Sequence, residues 1–149
     1  MEQITNFKIG IISTLGVVGS FIASLLGGWD MALQTLVIFM VVDYITGLIV
    51  AGVFRKSTKS ESGALESKAG WKGLLRKGMT LLIVLIAFRL DLMIGSNFIR
   101  NAVIIAYIVN EALSIVENAG LMGLPIPDAI KKGIDALTNK NQSGGSNGS

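Results

Sequence analysis

The sequence predicts an all-α integral membrane protein with about four transmembrane helices and a short C-terminal amphipathic helix. Hydrophobic residues make up 51% of the 149 residues and charged residues only 15%, whereas soluble domains average about 25% charged residues. The apolar residues are gathered into long segments, and one loop between them, residues 55–77, is strongly basic. These observations indicate a single domain, residues 1–142, whose helices pack against one another in lipid.

The basic loop sets the predicted orientation. Its seven Lys and Arg residues outnumber its two Glu residues, which gives the loop a net charge of +5. Short loops rich in Lys and Arg are held on the cytoplasmic side of a membrane. With four spans, both termini are then cytoplasmic. The net charge of the whole chain, +3, lies mostly in this loop, so it indicates topology and not a nucleic-acid partner.

The first two predicted spans occupy residues 9–27 and 31–54. The first contains nineteen uncharged residues, about 28 Å of helix, which matches a hydrocarbon core of about 30 Å. Its N-terminal flank is not basic and no cleavage site follows, so we interpret it as a retained helix and not as a signal peptide. Small residues that allow close helix approach are Gly16, Ser20 and Gly47. We expect these positions to pack against another helix, of the same subunit or of a second one.

The remaining spans are predicted at residues 78–95 and 98–122. The first of these is short for a membrane crossing, and the second is the most polar of the four. An amphipathic helix follows at residues 127–140, with apolar residues along one face. The final segment, residues 143–149, reads SGGSNGS and is typical of an engineered linker, so we exclude it from the domain.

The second half of the basic loop combines cations with a tryptophan. Such segments lie at the membrane surface, where the indole sits at headgroup level and the cations face anionic lipid. The residues predicted to do so are Lys68, Trp71, Lys72, Arg76 and Lys77.

Polar residues inside the predicted spans are the candidate functional residues, because an ionisable group in hydrocarbon is costly and rare. Depth along the helices sorts them into two layers. The middle layer contains Asp43, Asn110 and Glu111, and the outer layer contains Arg89, Asp91 and Arg100.

The fourth span carries most of its polar residues on one helical stripe. The stripe comprises Arg100, Tyr107, Asn110, Glu111, Ser114, Glu117 and Asn118, and the apolar side comprises Ile105, Ile108, Val109, Ala112, Leu113 and Val116. So polar a stripe must face the bundle interior, another subunit or water. It indicates either an internal network in a monomer or a helix that lines an aqueous lesion or contacts its copy. Our hypothesis is that Glu111 is neutral or hydrogen-bonded at rest and faces water after triggering.

Cysteine and histidine are both absent from the sequence. Disulfides, thiolate nucleophiles and Ser-His-Asp triads are therefore excluded, as are zinc and haem sites that need Cys or His. We expect no catalytic residue, no metal and no cofactor, and we predict that the protein is not an enzyme.

Three ordered motifs resemble those of the toxin-secretion and phage-lysis holin family. Asp43-Tyr44-Ile45-Thr46-Gly47 is similar to its D-x-x-T-G segment. Residues 67–77 resemble its S-x-x-G-x-K-G-x-x-x-K stretch. Residues 110–118 and 123–127 are similar to its N-E-x-x-S-I-x-E-N…G-x-P-x-P ending. The resemblance covers about residues 31–137.

The resemblance implies a phage-encoded or phage-derived protein of the bacterial cytoplasmic membrane. Such holins oligomerise and open lesions that release an endolysin or, in clostridial relatives, a large toxin. The implied partners are the lipid bilayer, further copies of the chain and an antiholin, with endolysin as cargo that is released without direct binding. Family members are often described with three spans.

Two other functions remain open at this point. A small proton-coupled exporter or ion channel would use Asp43 or Glu111 as its coupling carboxylate. A non-lytic antiholin or membrane anchor would open no lesion by itself. Passage of large solutes through the membrane separates both from a holin.

Overall fold

The computed structural model describes residues 1–144, with side chains to residue 143, and this part of the chain is helical without strands. The helices are α1 (Glu2–Leu25), α2 (Met31–Ile49), α3 (Ser67–Ile94), α4 (Phe98–Leu121) and α5 (Asp128–Gly144). A π-helical turn, Val50–Phe54, continues α2. The predicted all-α class is therefore confirmed.

Three of these helices are long and apolar enough to cross a membrane. They are α1, α2 with its π-helical turn, and α4. The predicted third span falls within α3, whose apolar half also carries Lys77, Arg89 and Asp91. The structure thus supports a membrane protein with several apolar helices, and the number of four spans stays a prediction.

Helix α3 begins eleven residues before the predicted span does, because Ser67 is its first residue. Residues 67–77, predicted to belong to the basic loop, instead form the first turns of a continuous 28-residue helix. Two glycines of these turns face α2. A Cβ atom at Gly70 would lie 3.6 Å from the Tyr44 hydroxyl, and one at Gly73 would lie 3.8 Å from the Tyr44 ring.

The core lies around α4, which packs most extensively against α2 and also against α3 and α5. Its buried apolar cluster is made of Leu26, Leu33, Leu36, Met40, Val84, Ile104 and Ile108. The cluster fills the half of the bundle next to the α1–α2 and α3–α4 turns, which we name the turn end. The opposite, loop end carries residues 55–66.

Helix α1 stands apart from this core. None of its residues is buried, and within the described chain nothing lies within 4 Å of a Cβ atom placed on Gly16. The predicted packing positions Gly16 and Ser20 are both exposed, so contact between subunits stays a prediction for them. Gly47 differs, because a Cβ atom there would lie 3.8 Å from Asn118 Nδ2 in α4.

Helix α5 extends further than the predicted amphipathic helix, residues 127–140. It starts at Asp128, after Pro127, and includes Ser143 and Gly144. These two residues are therefore helical, and the rest of the predicted linker, residues 145–149, lies outside the described residues. The helix continues past residue 140 because neither Asn141 nor Gln142 is a helix-breaking Gly or Pro.

Candidate functional site: a buried charged centre

A lysine joins two carboxylates between α2, α3 and α4. Lys77 Nζ donates hydrogen bonds to Asp43 Oδ2 at 2.8 Å and to Glu111 Oε2 at 2.6 Å. Asp43 and Glu111 are each 6% exposed, and the Lys77 side chain is 13% exposed. Hydrogen bonds between ionised groups are short and strong, so the three residues form one ion-paired unit contributed by three helices.

Neutral polar groups complete the surroundings of Asp43. Ser114 Oγ donates to Asp43 Oδ1 at 2.5 Å, and Asn118 Nδ2 donates to the same oxygen at 3.1 Å. Asn118 Nδ2 also donates to Thr46 Oγ1 at 2.9 Å. In the described residues, no buried side-chain nitrogen or oxygen lacks a hydrogen-bond partner. A fully satisfied network of this kind favours one arrangement of its helices.

The loop of residues 55–66 supplies a second cation. Lys59 Nζ donates to Ser114 Oγ at 3.0 Å and lies 3.5 Å from Asp43 Oδ1. With Lys59 and Lys77 protonated and both carboxylates ionised, the formal charge of the centre is zero. We use the term charged centre for Asp43, Lys59, Lys77 and Glu111.

The loop that carries Lys59 is closed on itself. Ser57 N–H donates to the Gly63 carbonyl at 2.9 Å, and both Gly63 (φ 72°) and Arg55 (φ 51°) have left-handed backbones. A Cβ atom at Gly63 would lie 2.6 Å from the Arg55 carbonyl oxygen. Only glycine fits this position without moving the backbone.

A cavity of about 320 Å³ lies between the loop and the three helices. The charged centre forms part of its wall, together with Arg76, Asn110 and Glu117, which are exposed. One water needs about 10–15 Å³ of such space, so the cavity is large enough to hold water. Solvent from the loop end therefore has room to approach the carboxylates of the centre.

The predicted polar stripe of α4 is divided by the structure. Arg100, Glu111 and Asn118 are buried, Tyr107 and Ser114 are half-buried, and Asn110 and Glu117 are exposed. Ile108 and Ala112, predicted on the opposite side, are buried on the same broad face as Glu111. The predicted separation of α4 into a polar and an apolar side was wrong for these two residues, because α4 packs on three helices at once and buries more than one stripe.

The structure also corrects the prediction for Lys77. It was expected at the membrane surface but lies in the charged centre, whereas Lys68, Trp71, Lys72 and Arg76 are exposed on α3. The signal was present in the spacing of Gly70, Gly73 and Lys77. Steps of three and four place all three on one helical face, and the two glycines mark the face that approaches α2.

A second polar cluster holds the turn end together. Arg100 donates to the Leu26 carbonyl through Nε at 2.5 Å, to the Gly28 carbonyl through Nη2 at 3.2 Å and to Asp30 Oδ2 through Nη1 at 2.6 Å. Asp30 also caps α2 by accepting from Leu33 N–H at 2.9 Å. The bidentate guanidinium thus fixes the α1–α2 turn against the start of α4. Asp30 was not among the predicted residues, although an Asp before an apolar helix is a usual N-cap.

Asp91 belongs to the same end of the bundle. Its carboxylate accepts from the backbone N–H groups of Ile99 at 3.0 Å and Arg100 at 2.8 Å, and from Ser96 Oγ. It therefore satisfies the free donors at the start of α4. Arg89, the remaining outer-layer residue, lies on the exposed side of α3.

The three sequence motifs meet in the charged centre. The first contributes Asp43, the second Lys77, and the third Glu111, Ser114 and Asn118. Residues 20–139 match the model of the Bacteriophage holin family. The chain belongs to this family. The resemblance noted in the sequence is thereby confirmed, and the family is one of non-enzymatic membrane proteins.

Relatives of this family member occur in bacteria and in a phage. An uncharacterised protein of Clostridium perfringens is 37% identical over 143 residues, 94% of this chain and 99% of its own length. An uncharacterised protein of Listeria monocytogenes is 39% identical over 88% of this chain and 84% of its own length. A probable holin of Bacillus phage phi105 is 31% identical over 73% of this chain and 76% of its own length. No solved structure matches the chain.

Proposed function

We propose that this chain acts as a holin: it accumulates in the bacterial cytoplasmic membrane, self-associates and opens lesions that release an endolysin or a large toxin. The observation that carries the proposal is the charged centre, which is buried in a member of the holin family whose helices α1 and α2 expose mainly apolar side chains. The proposed orientation places the loop of residues 55–66 and both termini in the cytoplasm, since Lys and Arg favour that side. Lys68, Trp71, Lys72 and Arg76 then face the headgroups.

The charged centre has the properties of a closed-state lock. Charged groups inside a membrane are costly unless they pair, and here the formal charges cancel across α2, α3, α4 and the loop. Separation of these helices would leave single charges that need water. Such an arrangement has a closed form in which the charges are paired and an open form in which water solvates them, and it disfavours intermediates with unpaired charges.

The cavity supplies a route for that hydration. It already reaches Asp43, Lys77 and Glu111 from the loop end, while the apolar cluster fills the turn end. We infer that water enters from the loop end, that Glu111 and Asp43 then exchange Lys77 for water, and that the polar residues of α4 come to line the lesion. Antiholin binding would act by preventing this separation.

Solute release from vesicles tests the proposal. The purified protein is inserted into liposomes that contain a small ion indicator, graded fluorescent dextrans and an enzyme-sized reporter. A holin releases all of them. A proton-coupled exporter or ion channel changes only the ion signal, and an antiholin or membrane anchor changes none, so either result would refute the proposal.

Two substitutions at one position test the role of the charged centre. Glu111→Gln keeps the shape and removes the charge, so it should change the delay before release without preventing insertion. Glu111→Leu removes one carboxylate partner of Lys77 from the closed-state lock, so it should weaken the closed form and shorten the delay. Release on the wild-type schedule by both variants would show that Glu111 takes no part in opening.

A further inference from the structure

Helix α5 lies back along α4, deep into the segment that is long enough to cross a membrane. Ile134 is 9% exposed, and Leu137 packs against the apolar cluster that includes Ile108. Ile108 is thirteen residues from Leu121, the last residue of α4, a distance of about 20 Å along a helix. The apolar face of α5 is therefore not confined to the loop end of the bundle.

The other face of α5 is charged. Lys131, Lys132, Asp135 and Lys140 are all exposed. If α4 crosses a bilayer, as the proposed function requires, a docked α5 would hold several of these groups at hydrocarbon depth, which is costly. Amphipathic helices with such a charged face lie in the membrane interface instead. The docked position of α5 is thus favourable in water and unfavourable when α4 is inserted.

Helix α1 has the opposite character. Its 24 residues equal the length of α4, it is apolar enough to cross a membrane, and none of it is buried. Its exit from the bundle is fixed by the Arg100 hydrogen bonds to Leu26 and Gly28. A Cβ atom at Gly27 would lie 2.6 Å from Arg100 Nε, so the turn has no room for a side chain at this position.

We propose that on insertion α5 leaves α4, and that α1 of a second copy takes its place on the apolar side of α4, which includes the half-buried Ile105, Val109 and Val116. The inference rests on the proposed membrane insertion and specifies the contact through which copies associate. The contact is heterologous, because α1 of one copy meets α4 of the next. Such contacts propagate into rings or open chains, as a lesion built from many copies requires.

Cysteine crosslinking tests the contact, since the chain contains no cysteine. Thr14 lies eleven residues from Leu25 at the end of α1, and Val109 lies eleven residues from Phe98 at the start of α4. Each of residues 11–15 is changed in turn to Cys in one copy. The second copy, with a different tag length, carries Val109→Cys, and both are co-expressed and treated in membranes with a short bis-maleimide.

The expected result is a crosslinked heterodimer at one or two of the five α1 positions, and only on co-expression. Asn110→Cys is the control, because Asn110 is adjacent in sequence but exposed at the cavity. No crosslink at any position, equal crosslinking to Asn110→Cys, or only α1–α1 products would overturn the proposal. Release of dextrans is scored separately, so a lesion without the α1–α4 crosslink refutes this contact and leaves the proposed function standing.

Labelling by a membrane-impermeant maleimide tests the departure of α5. The reagent is applied to inverted membrane vesicles that carry Lys140→Cys, with Glu61→Cys in the exposed loop as the accessible control and Ile38→Cys on the exposed side of α2 as the protected control. Lys140→Cys should label as fast as Glu61→Cys. Protection equal to that of Ile38→Cys would show that α5 stays on α4 and would overturn the proposal.

Discussion

Lys77→Met should destabilise the folded bundle by about 3–5 kcal/mol, the cost of removing one partner from a buried ion pair. The change keeps most of the side-chain stem and removes Nζ, which lies 2.8 Å from Asp43 Oδ2 and 2.6 Å from Glu111 Oε2. Those two oxygens are therefore no more than 5.4 Å apart. At that separation and an effective dielectric constant of about 20, two unit charges repel by about 3 kcal/mol. The repulsion alone thus has the expected size.

The free energy of unfolding is measured in detergent micelles by denaturant titration, with helix content followed by circular dichroism. Lys72→Met is the matched control, because Lys72 is an exposed lysine on the same helix and should cost less than about 1 kcal/mol. The double variant Lys77→Met with Glu111→Leu removes one carboxylate together with the lysine. It should be more stable than the sum of the single changes by about 1–3 kcal/mol, a coupling typical of residues in one network.

Equal stability of Lys77→Met and Lys72→Met would refute the argument. So would strict additivity in the double variant, because additive effects mean that Lys77 and Glu111 do not share one electrostatic unit. A Lys77→Met chain that fails to fold alone, but folds when Glu111→Leu is added, would support the argument in a stronger form.

Three further predictions concern the loop, the turn end and the glycines. Lys59→Met should speed proteolysis of the loop but lower the free energy of unfolding by less than about 1 kcal/mol, since the Lys59 side chain is 45% exposed. Lys56 is an exposed neighbour, so Lys56→Met should leave the rate of cleavage unchanged. The Arg100 hydrogen bond lowers the pKa of Asp30 below its ordinary 3.8. The ionised Asp30 therefore stabilises the fold above about pH 4, and this stabilisation is lost as the pH falls through the lowered pKa. Thermal melting between pH 2.5 and 7 should show this loss in the wild type and less of it in Asp30→Asn. Gly47→Leu should lower the free energy of unfolding by about 1–3 kcal/mol, because the larger side chain overpacks against Asn118. Gly16→Leu should leave monomer stability unchanged and lower the yield of crosslinked oligomer. Equal melting temperatures for these two glycine variants would contradict the packing described.

Composition and periodicity predict the helical class well because the bilayer imposes it. Backbone groups in hydrocarbon must be paired within the segment, so long apolar segments form helices. Four of the five helices lie where the sequence predicts apolar segments or an amphipathic helix. The start of α3 is the exception, since its first turns are polar and contain Gly70 and Gly73, which weaken helix propensity and face Tyr44 of α2.

The charged centre was predictable in part. The cost of burying Asp43 and Glu111 marks both residues, and their depth places them in one layer. Their partner was missed because a lysine close to a basic loop is assigned to the membrane surface by the same rule that sets the orientation. Lys59 is harder still to predict, because its contact depends on the fold of residues 55–66 and no local periodicity encodes it.

The two ends of the bundle differ in a way that predicts an order for the proposed opening. At the turn end, Arg100, Asp30 and Asp91 hold backbone groups of α2, α4 and the α1–α2 turn, next to a dry apolar cluster. At the loop end, the contacts between helices are mostly side chain to side chain, they lie beside a cavity, and one of them depends on the half-exposed Lys59. Water competes with the loop-end contacts first, because it already has a path to them. Opening should therefore begin at the loop end. A cysteine at position 114 should then become accessible to soluble maleimide before a cysteine at position 104 does. The reverse order would place the lock at the Arg100 cluster instead.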